Sequence, residues 1–446
     1  MSSVNMDDIS RFVSELMKKG FDDAAAKIEV VDSVMVKIAN SSVSVVQSWR
    51  RMSVDLYLAK NKRIFTLHFE PKSLGDLQKP IDSIISLANR VTESPIYAPL
   101  PEPSKIRYVE EVVDKRVIEA ANDMSNIAER VIEVAHRESI ESVAGMLQVG
   151  YVETALATSR GALLEEKKTF IQGYLRAFAQ PDGSGQWCYT STTLDLSGLE
   201  SMAFTASRYA VDSRNRGEVE PGVYDVILSP MVFANLLEYI ISMTSAMYVI
   251  MGWSMFMKNS PGDAVASPLL TILDEPRNTE LPNFRSFDDE GVETYNKSVI
   301  EEGVLKVFLH NTKTATFMNT RTTANAGWMI PVPWNIVVRP GTATIDEMVA
   351  EVRRGLLITN NWYTRLQNYI EGVFSTVARD AIFYIENGRI ARPITKVRIA
   401  DRFGNILKNV AMLGRELYNI QWWEVRTPTK APYILIKNVN ISKHTA

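Results

Sequence analysis

The sequence predicts an α+β chain: an N-terminal duplicated helix and antiparallel-sheet domain, followed by a mainly β, sandwich or barrel-like C-terminal domain. Two observations carry this. An order of amphipathic helix, alternating apolar strands and helix occurs twice before residue 215. After residue 220, short β-branched runs alternate with turn residues at close spacing, the pattern of an all-β unit. The boundary falls at Glu220-Pro221-Gly222, giving units 1–215 and 220–446 of a chain of 446 residues.

The elements follow in order. Ile9, Phe12, Val13, Leu16 and Met17 share one helical face, and Gly20 is a natural stop. Val34, Val36 and Ile38, then Val54, Leu56 and Leu58, then Phe65, Leu67 and Phe69 recur at the two-residue strand period. Pro80 opens a second helix with Ile81, Ile84, Ile85 and Ala88 on one face. The Pro-rich stretch Glu93 to Pro103 reads as an extended connector. The second copy begins with a long helix from Val112 to His136. It continues with strands from Ala144 to Thr158 and Thr169 to Ala179. A turn over Pro181 to Gln186 then leads to a helix opened by a Ser197/Glu200 capping box.

In the C-terminal unit, Val223 to Ser229 is a short strand ending at Pro230. One continuous apolar helix is expected over residues 231–257. Its uncharged run from Tyr239 to Met257 is long enough to span a bilayer but rich in Met, Ser and Thr, with no basic flank. That composition points to a buried helix. Ile345 to Arg354 is a second, shorter helix.

Composition excludes several functions. Lys plus Arg total 49 against 52 for Asp plus Glu, a net charge of -3, so no basic excess exists for direct nucleic-acid binding. The only cysteine, Cys188, allows no intrachain disulfide. The polar, acidic opening MSSVNMDDISRF is unlike a signal peptide, and a cytoplasmic location away from the membrane is expected. The four histidines, His68, His136, His310 and His444, are far apart, so no local two-histidine metal motif can be written. No Walker loop, Rossmann fingerprint or nucleophile elbow occurs.

Three groups of residues remain as candidates. Asp288, Asp289 and Glu290 could hold a cation or force one carboxyl pKa upward, or could simply form a polar turn. Asp274-Glu275-Pro276 is a second acidic turn. Met243, Met247, Met251 and Met255, spaced by four, form either core packing or an adaptable apolar surface for a subunit or peptide.

Several segments, taken in order, resemble the TldD/PmbA family. They are VYDVILSPMVFANLLEYI from Val223, GWSMFMKNSPGDAVASPLLTILDEP from Gly252, FDDEG from Phe287, TTANAGW from Thr322, and EGVFSTVARDAIFYIENGRIARPI from Glu371. The resemblance is specific from Val223 to Leu413. It implies a peptidase family in which a His-Glu-x-x-x-His helix binds zinc. That motif would fall just after Leu237, where this chain carries Glu238, Tyr239 and Met243 instead. Met is a poor zinc ligand and one carboxylate does not replace two imidazoles. The family's late metal-binding cysteine has no counterpart either. The chain therefore resembles the PmbA branch, also called TldE.

What that resemblance implies is a zinc-free subunit pairing with a TldD-like zinc peptidase, or with itself. The pair would act on unfolded peptides, with zinc only in the partner and no cofactor in this chain. Met247, Met251, Met255, Asp288, Asp289, Glu290 and Asn325 are then candidate channel or interface residues. A family name refers to modulation of DNA gyrase, for which the charge balance offers no direct nucleic-acid surface. Two other readings stay open: a stand-alone homodimeric peptide-binding or scaffold protein, and an enzyme centred on Asp288, Asp289 and Glu290. The N-terminal strands are poorer in glycine than the family pattern, and the Cys188 segment is unlike it.

Overall fold

A computed structural model describes residues 4–78, 83–84, 90–107 and 112–444. The first helix, Met6–Lys18, is capped by Asn5, whose side chain accepts the Asp7 N–H, and buries Ile9, Phe12, Val13 and Leu16. Strands β1 (Asp23–Ala39), β2 (Ser42–Lys60) and β3 (Arg63–Phe69) follow as hairpins. Their tight turns place Asn40, Ser41, Asn61 and Lys62 at positive φ. This is the mirror-image turn geometry that matches strand twist. The helix expected from Pro80 lies largely outside the described residues.

In the second copy, the expected continuous helix from Val112 to His136 is two helices, Lys115–Ala120 and Met124–Ala135. Val112 instead pairs with Lys168, and Asp114 caps the first of them through the Arg116 N–H. Strands β4 (Ser142–Thr158), β5 (Leu163–Ala179) and β6 (Gly183–Ser191) lead to the helix Leu196–Asp212. The two copies merge into one antiparallel six-stranded sheet, β3-β2-β1-β4-β5-β6, joined where β1 pairs β4. Helices cover one face. The other face carries polar side chains toward the C-terminal unit.

Two local expectations fail here. Gly183 to Gln186 belongs to strand β6 and not to a turn. A Cβ on Gly185 would lie 2.2 Å from the Ala206 carbonyl oxygen, so glycine lets the helix Leu196–Asp212 press onto the strand. The Ser197/Glu200 capping box does not form. Asp195 is the N-cap, Ser197 Oγ bonds to Asp195, and Glu200 pairs with Arg130.

The C-terminal unit begins with β7 (Gly222–Leu228) and the helix Pro230–Ser242, capped by Ser229 with Pro230 in its first turn. The continuous helix expected over 231–257 is broken. It stops at Met243, restarts as Ala246–Met251, and ends at Gly252 in the left-handed region. The break arises where Ser245 Oγ donates to the Pro331 carbonyl and Ser254 Oγ to the Met243 carbonyl. Among the described residues no helix is long and apolar enough to cross a membrane. Met243 and Met247 are buried, Met251 is exposed, and Met255 packs against the core, so the four methionines do not share one helical face.

The remaining strands are β8 (Ile272–Asp274), β9 (Lys297–Glu301), β10 (Val304–Leu305), β11 (Ile336–Val338), β12 (Arg354–Asn368), β13 (Val373–Glu386), β14 (Arg389–Ile394), β15 (Val397–Arg402), β16 (Val410–Leu413), β17 (Tyr418–Trp422), β18 (Val425–Ala431) and β19 (Ile434–Lys443). The order β12-β7-β19-β15-β13 closes on itself because β13 also pairs β12. This is a small barrel, with β14 and β16 added at its edges. A second sheet, β10-β9-β8-β11-β18-β17, lies beside it. The helix expected at Ile345 to Arg354 is present as Ile345–Glu351, with a Thr344/Glu347 capping box. The α+β class and the barrel-like C-terminal unit are as the sequence predicts.

The helix Pro230–Ser242 sits between the two units. Val232, Phe233, Leu236, Leu237, Ile240 and Ile241 enter the barrel core. Met231 and Ala234 enter the core of the second N-terminal copy, beside Ile420, Trp422 and Val425.

Replacing Gly185 by alanine forces that added carbon into the helix. The Gly185→Ala protein is expected to lose about 1–3 kcal/mol, read as a lower midpoint in denaturant with an unchanged slope.

Candidate functional site

A concave feature lies where the buried helix meets solvent. Glu238, Tyr239 and Ser242 lie on one side of its last turns, and Met243 closes it. The opposite walls come from three distant segments: Arg365, Leu366 and Tyr369 after the β12 bulges, Trp423, Glu424 and Arg426 at the β17–β18 turn, and Tyr248 and Trp253 near the short helix. They enclose a cleft of about 630 Å³. Trp253, Tyr369 and Trp423 are each more than half exposed, so its mouth is ringed by aromatic surface. Trp423 stacks on Tyr174 of β5, so the N-terminal sheet fixes one lip.

The helix residues in this cleft are already engaged. Glu238 accepts the Thr427 N–H at 2.9 Å, and burial raises its pKa above the usual carboxylate range. Tyr239 donates to the Thr364 carbonyl at 3.3 Å and stacks on Phe403. Behind them, Asn235 accepts from Asn361 and Thr364 in a fully buried polar cluster. One tied carboxylate, a phenol and a thioether do not fit a zinc site. Among the described residues no three His, Cys, Asp or Glu side chains form a metal-holding group. His68 bonds Asp55, His136 bonds Ser41, and His444 bonds Arg398. Cys188 is buried, and desolvation pushes its thiol up to about 12.

The acidic turn lies elsewhere and is buried. Asp288 accepts the N–H groups of Glu290, Val292 and Ala326. Desolvation, and then the adjacent Glu290, push its carboxyl up. Asp289 pairs with Lys27 of β1 at 2.9 Å, across the two units. Glu290 pairs with Lys313 at 2.5 Å, both almost fully buried, and the ammonium also lies over the Tyr57 ring. The three carboxylates are thus separated by partners and do not converge on a cation. The reading as a solvated polar turn also fails, because β1 and the helix Thr312–Phe317 cover it. Asp274 is likewise buried, held by Lys297 at 3.0 Å and by Asn325 at 2.6 Å. Asn325 itself is fully buried, with no free surface in this chain.

Sequence reasoning names Glu238, Tyr239 and Met243 only as degenerate motif positions, and the structure puts them on the helix wall of this cleft. That reasoning missed Arg365, Tyr369, Trp423 and Arg426, which no local spacing connects. The only signal was aromatic residues beside polar turns, as in Trp422-Trp423-Glu424.

Comparisons with known proteins agree with this fold. Residues 221–443 match the model of the PmbA/TldA metallopeptidase C-terminal domain, and residues 101–214 match that of its central domain. The chain is 24% identical to a metalloprotease of Methanothermobacter thermautotrophicus, over 68% of this chain and 71% of that one. It is 23% identical to the metalloprotease PmbA of Escherichia coli O157:H7, over 64% of this chain and 59% of that one. The crystal structure of TldE from Thermococcus kodakarensis superposes with a TM-score of 0.86 at 19% identity, covering 98% of this chain and 99% of that one. At that identity it is a likeness of fold.

Two outcomes are expected. Lys313→Met or Glu290→Gln alone costs about 3–5 kcal/mol by stranding a buried charge, whereas the double variant costs far less than the sum; a double-mutant cycle in denaturant measures this. His310 is buried, and desolvation holds its pKa down at about 4. The unfolded imidazole takes up a proton near pH 6.5 and the folded one does not. Its contribution is therefore present above pH 6.5 and is lost as pH falls toward 4. It amounts to about 3 kcal/mol and is absent in His310→Asn, as stability measured across that window would register.

Proposed function

This chain belongs to the PmbA/TldD metallopeptidase family, and on that premise we propose that it is the zinc-free subunit of a two-subunit peptidase acting on unfolded peptides. The observation that carries this reading is the cleft beside Glu238, Tyr239 and Met243. It offers room and aromatic surface for an extended chain, but no zinc donors where the family's motif would fall. Its own chemistry is binding and positioning. Trp253, Tyr369 and Trp423 present flat apolar surface to passing side chains, while Arg365 and Arg426 offer donors to backbone carbonyls or carboxylates.

The metal and its bound water belong to a TldD-like partner, with which this chain forms the substrate channel in the cytoplasm. Neither nucleic acid nor a membrane takes part.

The test measures zinc per chain and cleavage of an unfolded polypeptide, with this protein alone and mixed with a TldD-like protein from the same source. Alone, it is expected to be zinc-free and inert; the mixture cleaves faster than the partner does. A Trp423→Ala/Tyr369→Ala variant reduces that stimulation about tenfold, or about 1.4 kcal/mol. Stoichiometric zinc and cleavage by the lone chain would sink the proposal. A stable homodimer that leaves every TldD-like protein unaffected would favour a stand-alone peptide-binding protein.

A further inference from the structure

A second cleft, of about 340 Å³, opens on the polar face of the N-terminal sheet, where β1, β2, β4 and β5 face the segment 282–285. Three cationic side chains line it, Lys168, Arg285 and Arg51, against one carboxylate, Glu29. Lys168 is only 6% exposed, yet its ammonium makes a single hydrogen bond, to the Phe284 carbonyl at 3.1 Å. Among the described residues it has no ion-pair partner. The nearby Glu166 accepts the Ser286 N–H with one carboxylate oxygen, while its other, buried oxygen makes no hydrogen bond.

Arg285 is held from behind. Its main chain is fixed by Pro276 and Thr294, and its guanidinium lies 5.2 Å from the Trp334 ring centre. No hydrogen bond or ion pair to its guanidinium, or to that of Arg51, occurs among the described residues. A buried ammonium with two unused donors is costly unless a guest or water completes its shell. Two forked guanidiniums lining the same cleft suit a planar anion with two oxygens. The register puts two of these cations on the same face of the sheet. Arg51 and Lys168 lie in the same row across the sheet, since Arg51 faces Val31, Val31 faces Val152, and Val152 faces Lys168.

We propose that this cleft binds a carboxylate of an extended peptide, through Lys168, Arg285 and Arg51. The peptide as guest rests on the function proposed above; the anion preference rests on the cleft alone. Glu29 at the same cleft disfavours a doubly charged anion and is placed to meet an amide or ammonium of the same guest.

The experiment is calorimetric binding to the full chain, without any partner, so a failure of the two-subunit reading leaves it unaffected. The probes are an N-acetylated Ala/Gly pentapeptide with a free C-terminus, its C-terminal amide, and the amide with a central Asp. The acid, the Asp amide or both are expected to bind at least tenfold tighter than the plain amide. Which of the two does so identifies the source of the carboxylate. Arg285→Gln and the exposed Arg51→Gln each remove most of that difference while the melting temperature holds. Equal binding of all three peptides would overturn the proposal. So would inorganic phosphate competing as well as the acid, or a preference that survives both substitutions.

Discussion

The structure depends on one helix having nowhere to go. Pro230–Ser242 carries no charge before Glu238, and it packs on the barrel along one side and on the second N-terminal copy along the other. A helix apolar all round is stable in water only when surrounded. Barrel, sheet and the β17–β18 hairpin must therefore assemble about it together. Only its last turn escapes enclosure, and there Glu238, Tyr239 and Ser242 reach solvent. The cleft opens at that turn.

Hydrophobic burial brings the two units together but does not fix their angle. That is the work of buried charge. Asp289 meets Lys27 across the units, and Asp380 accepts from Arg176 of β5 and Ser184 of β6. Such pairs recover little more than their desolvation cost, yet any misdocked arrangement strands the charges. Asp380 adopts a left-handed backbone conformation to make these contacts. That strain is tolerated because Asn360 and Arg176 hold its carboxylate on both oxygens. The result is a seam whose geometry is narrowly defined.

Much of the fold was legible because strand and helix periods are local. Val34, Val36 and Ile38, or Ile9 through Leu16, reveal their faces without reference to anything distant. The failures share a physical cause. The 231–257 run reads as one helix because apolar continuity hides the break. Ser245 and Ser254 bond to carbonyls only once Pro331 and Met243 are brought near. Gly183 and Gly185 read as a turn because the helix that presses on them is far along the chain. The acidic turn read as solvated because its partners, Lys27 and Lys313, are far from it in sequence. For the cleft, Glu238, Tyr239 and Met243 stood out only as degenerate motif positions, and the facing walls did not, since Arg365 and Trp423 meet Glu238 only through the fold.

The last turn of the central helix turns toward the cleft side chains that the core does not enclose. Two side chains one turn apart on a helix face converge on a common point. Glu238 and Ser242 keep that spacing toward the cleft, with Met243 beside them. Each of the three is already engaged: the carboxylate is tied to Thr427, the hydroxyl to the Glu238 carbonyl, and the thioether is buried. Because the fold rests on the opposite, apolar faces of this helix, residues on the cleft side can change without loosening the core. The inner wall of the cleft is less free to change, because Tyr239 stacks on Phe403 and Leu366 packs against the barrel core.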